Sequence, residues 1–143
     1  MNTFGLVYFT TGGNTESMAE TLRDALEAKG AEVYFSAVGE ADADEFFSKD
    51  VLLFGSPAQG TEGIDEGEML PFIEDNADKL EGKKVFMFGS YGWGGGEYME
   101  NWKNDIMDQY NVTYPAGTVV TLEAPTDETE EQLQAAAEQL VEA

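Results

Sequence analysis

A chain of 143 residues with 42% hydrophobic content is long enough to bury a substantial core, and we expect it to fold as a single domain over residues 1–143. Its 7 basic and 29 acidic residues give a net charge of −22, which argues against nucleic acids and anionic membranes as partners and favours cationic proteins. Because it has no cysteine and no histidine, the sequence excludes disulfides and thiolate metal sites and argues against zinc-dependent or acid–base hydrolysis.

The first predicted strand leads directly into a loop of small and hydroxylated residues. Residues 4 to 9 are apolar on both faces apart from Gly5, as expected of a central strand in a parallel sheet. The loop consists of Thr10, Thr11, Gly12, Gly13, Asn14 and Thr15. A helix begins immediately afterwards, as the spacing of Met18, Leu22 and Leu26 predicts, and Lys29-Gly30 is expected to end it.

This loop predicts an anion site, because free N–H groups at a helix N-terminus point outward and the helix dipole favours negative charge. The expected ligand is a phosphate held by backbone amides and by the hydroxyls of Thr10, Thr11 and Thr15. The loop lacks the lysine of a Walker-type site, and Gly12-Gly13 lacks the G-x-G-x-x-G spacing of a dinucleotide site. The alternative is an ordinary turn in which Asn14 or Thr15 caps the helix.

The remaining elements alternate between strand and helix. Further strands are predicted at Val33–Phe35, Val51–Gly55, Lys84–Gly89 and Thr118–Leu122. Further helices are predicted from Ala41 to Ser48, from Met69 to Leu80, from Met99 to Met107 and up to Leu140, the last with Thr126 as its N-cap. Five strands alternating with five helices predict an α/β fold with a parallel sheet covered on both faces. The loops after strands one, three and four should therefore meet at the carboxyl edge, where such sheets bind ligands.

Three segments at that edge resemble the flavin loops of short-chain flavodoxins, and the similarity covers essentially the whole chain. The first is Y-F-T-T-G-G-N-T-E, which resembles the phosphate loop T/S-x-T-G-x-T except that Gly12 replaces a threonine and its hydroxyl. The second is F-G-S-P-A-Q-G-T-E, and the third is F-G-S-Y-G-W-G-G-G. The resemblance implies bound FMN and a doubly wound, flavodoxin-like five-stranded parallel sheet in the order 2-1-3-4-5, with helices on both faces.

The resemblance also assigns further FMN-binding residues to the second and third loops. They are Pro57, Ala58, Gln59, Gly60, Thr61 and Glu62, followed by Ser90, Tyr91, Gly92 and Trp93. Trp93 is expected to stack on the flavin ring, whereas Trp102 has the helical spacing of a core residue. Tyr91 is expected either to line the pocket or to fill the sheet edge, and Glu123 is expected to add a charge nearby.

Within the second loop, the resemblance implies roles for three residues. The peptide at Gly60 is expected to flip when the flavin takes up one electron, so that its carbonyl accepts a hydrogen bond from N5–H. Glu62 is expected to accept a hydrogen bond from the ring N3–H, and Gln59 to lie on the inner face of the ring. The alternatives are an ordinary turn at Gly60 and a solvated charge at Glu62.

By the resemblance, the protein is a one-electron carrier and not an enzyme. The surplus of acid opposes further negative charge on the flavin, so we expect a low potential and redox partners with basic docking faces. Residues Met1 to Phe4 have no basic region before an apolar stretch, and no run approaches the length of a membrane span, so we expect a cytoplasmic protein, which we also expect to be a monomer. The alternatives are an FMN-containing activator of a ribonucleotide reductase metal site and, less consistent with the sequence, a small FMN-dependent reductase. A phosphorylated receiver domain is excluded, because it needs aspartate where this chain has Thr10 and Ser56-Pro57.

Overall fold

One parallel sheet forms the centre of the computed structural model, which describes residues 2–59, 63–92 and 94–143. Its strands in the described part of the chain are β1 (Phe4–Tyr8), β2 (Val33–Ala37), β3 (Val51–Gly55), β4 (Lys84–Tyr91) and β5 (Thr118–Leu122). They lie in the order β2-β1-β3-β4-β5, and all neighbouring strands are parallel. The predicted fold class and strand order are confirmed.

Helices cover both faces of the sheet. The α-helices of the described residues are α1 (Asn14–Ala28), α2 (Ala43–Phe47), α3 (Met69–Asp75), α4 (Glu97–Asn101) and α5 (Asp127–Glu142). Helices α1 and α5 contribute to the core on one face, and α2, α3 and α4 contribute to the core on the other. Apolar side chains of β3 point alternately to the two faces of the sheet, since Leu53 belongs to the first core whereas Leu52 and Phe54 belong to the second. Both faces of the sheet must therefore be covered by helices.

Most predicted boundaries agree with the structure, and the sequence signals explain why. Helix α5 starts after Thr126, whose side chain accepts a hydrogen bond from the Thr129 amide in a capping box. Helix α1 is followed by Lys29 and by Gly30, which has a positive φ of 86°. Gly5 is explained by a close approach, because a Cβ there would lie 2.7 Å from the Phe46 ring.

The structure corrects the bounds of two predicted helices. The helix predicted from Met69 to Leu80 ends at Asp75 and continues only as a 3-10 turn over Ala77–Lys79. The break occurs because the Asn76 side-chain amide donates to the Phe72 carbonyl (2.8 Å), which the Asn76 backbone amide would otherwise bond. The helix predicted from Met99 to Met107 starts earlier, at Glu97, and is α-helical only as far as Asn101.

Strand β2 is two residues longer than predicted, since it extends to Ala37, and so is strand β4. Ser90 and Tyr91, which the sequence placed in a glycine-rich loop, are the last residues of β4 and pair with Thr121 and Leu122 of β5.

No helix in the described ranges is long and apolar enough to span a lipid bilayer.

Candidate functional site

The strand order reverses at β1, which lies between β2 and β3, so the loops that follow β1 and β3 leave the sheet side by side. A cleft of about 290 Å³ opens there at the carboxyl edge. The described residues that line it are Thr10, Thr11, Gly12, Asn14, Thr15, Pro57, Ala58, Ser90, Tyr91, Gly92 and Glu123. The structure thus brings together predicted residues of all three loops.

The first wall of the cleft is the turn between β1 and α1. Gly13 is the N-cap of α1 with a positive φ of 92°, and its amide donates to the Thr10 hydroxyl (3.0 Å). The alternative in which Asn14 or Thr15 caps this helix is wrong, since both are already helical. No side chain of the described residues caps α1, so its first-turn N–H groups remain available to an anion.

Two hydroxyl groups form the floor of the cleft. Thr15 is only 1% exposed, and its Oγ1 lies 3.4 Å from the Oγ of Ser90 at the end of β4. A hydroxyl can donate as well as accept, so this pair can turn its hydrogens toward a ligand oxygen. Gly12 lies at the open side of the loop, where an added Cβ would have no described atom within 4 Å.

The second wall is the segment after β3. The Ser56 amide donates to the Phe88 carbonyl (3.1 Å), and the Ala58 amide donates to the Ser90 carbonyl (2.9 Å), so this wall continues to pair with β4. Pro57 and Ala58 face the cleft. Gln59 does not line it. Its amide donates to the Gly63 carbonyl (2.8 Å), and it borders a separate opening beside Asp65.

The charge around the cleft is negative. The described residues that line the cleft include no lysine or arginine, and the charged residue among them is Glu123. Glu123 adopts a positive φ of 58°, and its amide donates to the Tyr91 carbonyl (2.7 Å). Nearby, burial and the Glu16 carboxylate raise the pKa of Tyr8, whose hydroxyl donates to Glu16 (3.2 Å). An anionic ligand must therefore be neutralised by backbone dipoles rather than by side chains.

The donor set fits a phosphorylated ligand with a flat ring. One end of the cleft offers helix amides and hydroxyls, which suit a phosphate, and the other offers Pro57, Ala58 and Tyr91, which suit a planar apolar group. Four predicted residues, Gly60, Thr61, Glu62 and Trp93, lie outside the described residues.

Sequence reasoning missed a group of residues beneath the second wall. The hydroxyl of Tyr98 donates to the Ser56 carbonyl (2.9 Å), and the Ser56 hydroxyl accepts from the Asp65 amide (3.1 Å). The helical spacing of Tyr98 and Trp102 indicates only a core position for each, so no sequence signal identified the hydroxyl's partner.

Comparisons with known proteins agree with this geometry. A family model described as flavodoxin matches residues 6–139. The chain is 42% identical over 120 residues to a flavodoxin from Megasphaera elsdenii, covering 84% of this chain and 86% of that protein. It is 41% identical over 98 residues to a flavodoxin from Clostridium beijerinckii, covering 68% of this chain and 71% of that protein. The solution structure of two-electron reduced Megasphaera elsdenii flavodoxin superposes with a TM-score of 0.82 at 41% identity, covering 94% of this chain and 98% of that one.

Proposed function

The chain belongs to the flavodoxin family and is therefore an FMN-binding electron-transfer protein rather than an enzyme, and from this premise we propose that the carboxyl-edge cleft is its FMN site. The observation that carries the proposal is the position of the cleft, between the loops after β1 and β3 where the strand order reverses. Bound FMN supplies a flavin ring that takes up and releases electrons one at a time. The chain's own residues bind, orient and shield it.

Each end of the cleft has a separate task in this proposal. The first-turn amides of α1 and the hydroxyls of Thr10, Thr11 and Thr15 hold the phosphate, with the helix dipole offsetting its charge. Pro57, Ala58 and Tyr91 exclude water from the ring. The assignment of Gln59, Gly60, Thr61, Glu62 and Trp93 to the ring rests on the family's loop motifs.

We further propose that the carrier works at low potential. The described lining residues provide Glu123 and no cation, and the whole chain carries a net charge of −22. Each added electron therefore enters a negative field, which makes the second reduction step harder. The acidic surface also favours redox partners with basic docking faces. Because it opposes both self-association and contact with anionic lipid, we propose that the protein acts as a cytoplasmic monomer of one domain.

Stepwise anaerobic reduction of the FMN-loaded protein, followed by its absorption spectrum, tests this function. We expect two resolved one-electron midpoint potentials, with the second clearly below the first. We also expect no NAD(P)H oxidation unless a partner reductase is added. A single two-electron step, or steady NAD(P)H oxidation by the protein alone, would contradict the carrier role.

A further inference from the structure

A buried hydrogen-bond chain links three elements beneath the cleft. Tyr98 of α4 is 1% exposed, and its hydroxyl donates to the Ser56 carbonyl (2.9 Å) just after β3. Ser56 is fully buried, and its own hydroxyl donates to the Pro57 carbonyl (3.0 Å) and accepts from the Asp65 amide (3.1 Å). The Asp65 carboxylate accepts from the amides of Glu68 (2.7 Å) and Met69 (2.9 Å), which fixes the start of α3.

Strand β4 has a glycine where it passes these hydrogen bonds. Gly89 is an interior residue of β4, where glycine weakens a strand. A Cβ at this position would overlap both the Ser56 carbonyl oxygen and the Tyr98 hydroxyl. The glycine therefore makes room for the hydrogen bond between these two residues. Burial also raises the pKa of Tyr98, so its hydroxyl stays protonated and remains a donor.

The hydrogen bonds of Tyr98, Ser56 and Asp65 fix the backbone that faces the proposed cofactor site. Ser56 is held on one side by the Phe88 carbonyl and on the other by Tyr98, and the next two residues, Pro57 and Ala58, line the cleft. The Asp65 amide donates to the Ser56 hydroxyl, which holds Asp65 beside Ser56 although the two are nine residues apart in the sequence. The positions of Pro57, Ala58 and Asp65 therefore depend on the position of Ser56.

Tyr98 also connects this wall to the third loop. Its neighbour Glu97 accepts a hydrogen bond from the Gly95 amide (2.6 Å), and the N-cap Gly96 has a positive φ of 82°. The start of α4 is thus fixed to Gly95, three residues after Gly92, which lines the cleft. Movement of Tyr98 would therefore change the spacing between the second wall and the third loop.

We infer that Tyr98 is a positioning residue for the flavin ring, since its hydroxyl sets where the Ser56–Ala58 backbone lies against the ring without contacting the cofactor itself. The inference rests on the proposed cleft. It assigns Tyr98 to the ring end and leaves the phosphate end to the loop after β1. The two ends can be separated experimentally because riboflavin has the ring but no phosphate.

The test compares Tyr98→Phe with Tyr114→Phe in the full chain. Tyr114 is a matched control, because its hydroxyl donates to Asp108 (2.8 Å) and the residue does not line the cleft. Kd values for FMN and riboflavin are measured by flavin fluorescence, and both midpoint potentials by anaerobic titration. We expect Tyr98→Phe to weaken both ligands by the same factor, about threefold to tenfold for one lost hydrogen bond, and to shift at least one potential. Tyr114→Phe should change none of these values.

The outcomes separate the inference from the function on which it rests. If the natural protein does not take up FMN, the proposed function fails, and this inference fails with it. If the natural protein binds FMN but Tyr98→Phe lowers only Tm, with riboflavin affinity and both potentials unchanged, the hydroxyl is merely structural and the inference is overturned. Should Tyr98→Phe not fold, replacement of Tyr98 by 4-fluorophenylalanine decides, since the fluorine fills the space of the hydroxyl but cannot donate to the Ser56 carbonyl. An equal loss of FMN and riboflavin affinity supports the inference, and unchanged affinities overturn it.

Discussion

Among single residues, Gly12 is where the proposed phosphate loop departs from the family's loop motif. The family's loop motif has a threonine there, and the glycine removes one hydroxyl from the set that we propose holds the phosphate. Its backbone does not require glycine, because its φ lies outside the left-handed region and an added Cβ would meet no described atom within 4 Å. The position can therefore accept a side chain without strain.

We expect Gly12→Thr to tighten FMN binding by about threefold to tenfold, because it restores one hydrogen bond to the phosphate. Riboflavin affinity should not change, since riboflavin has no phosphate. Gly12→Val is the matched control, as it adds the same branched shape without the hydroxyl. Fluorescence titration measures both ligands. Equal effects of the threonine and valine variants on FMN would contradict a hydroxyl contact.

Glu97 gives the third loop a dependence on pH. Hydrogen bonds from its own backbone N–H and from that of Gly95 lower the pKa of Glu97. Since the folded pKa lies below the unfolded value, the contact stabilises the loop above the ordinary glutamate pKa of about 4.3 and is lost as pH falls through the lower folded value. The Gly95 amide signal in NMR spectra should titrate with a midpoint below the ordinary glutamate value of about 4.3. Glu97→Gln should abolish this titration. A midpoint at or above the ordinary glutamate pKa would contradict the stabilising contact between Glu97 and the Gly95 amide.

At the scale of elements, the N-terminus of α5 has a cap that the sequence identified. Thr126 accepts from the Thr129 amide (3.2 Å), and the Thr129 hydroxyl accepts from the Thr126 amide (3.2 Å). We expect Thr126→Ala to lower the free energy of unfolding by about 1 kcal/mol in urea titrations. Thr113→Ala, at an exposed threonine outside the helices of the described chain, is the control. A loss no larger than that of the control would show that the cap contributes nothing.

The elements also show which features the sequence could predict. Strands β3 and β5 have the predicted bounds because continuous apolar runs with clear turn signals define them locally. The extension of β4 through Ser90 and Tyr91 depends on pairing with β5, about thirty residues later, and no local pattern reports such pairing. The same limit applies to Tyr98, whose hydroxyl partner is 42 residues away. The motifs thus predicted the cleft's position, whereas its supporting contacts are non-local.

At the scale of the whole molecule, the excess of acid supports the proposed docking to partners with basic faces. With 29 acidic and 7 basic residues, the protein attracts cationic surfaces over a distance set by the Debye length. We expect the rate of electron transfer to a basic haem protein to fall about tenfold or more as ionic strength rises from about 0.01 M to about 0.15 M, measured by stopped flow. The rate of electron transfer to an acidic partner should instead rise as ionic strength increases. A rate to the basic partner that does not depend on salt would contradict the proposed docking faces.

The central claim is that the cleft formed by the loops after β1 and β3 and by the end of β4 holds FMN. Titrating the ¹⁵N-labelled, FMN-free protein with FMN and following its backbone amide signals tests it most directly. We expect saturable shifts for residues 10–15, Ala58 and residues 90–92, with Thr113 at the opposite edge of the sheet unaffected. If FMN produced no saturable shifts at these residues, or shifts only at the groove between α1 and α5 beside Thr21 and Gln134, the claim would be contradicted.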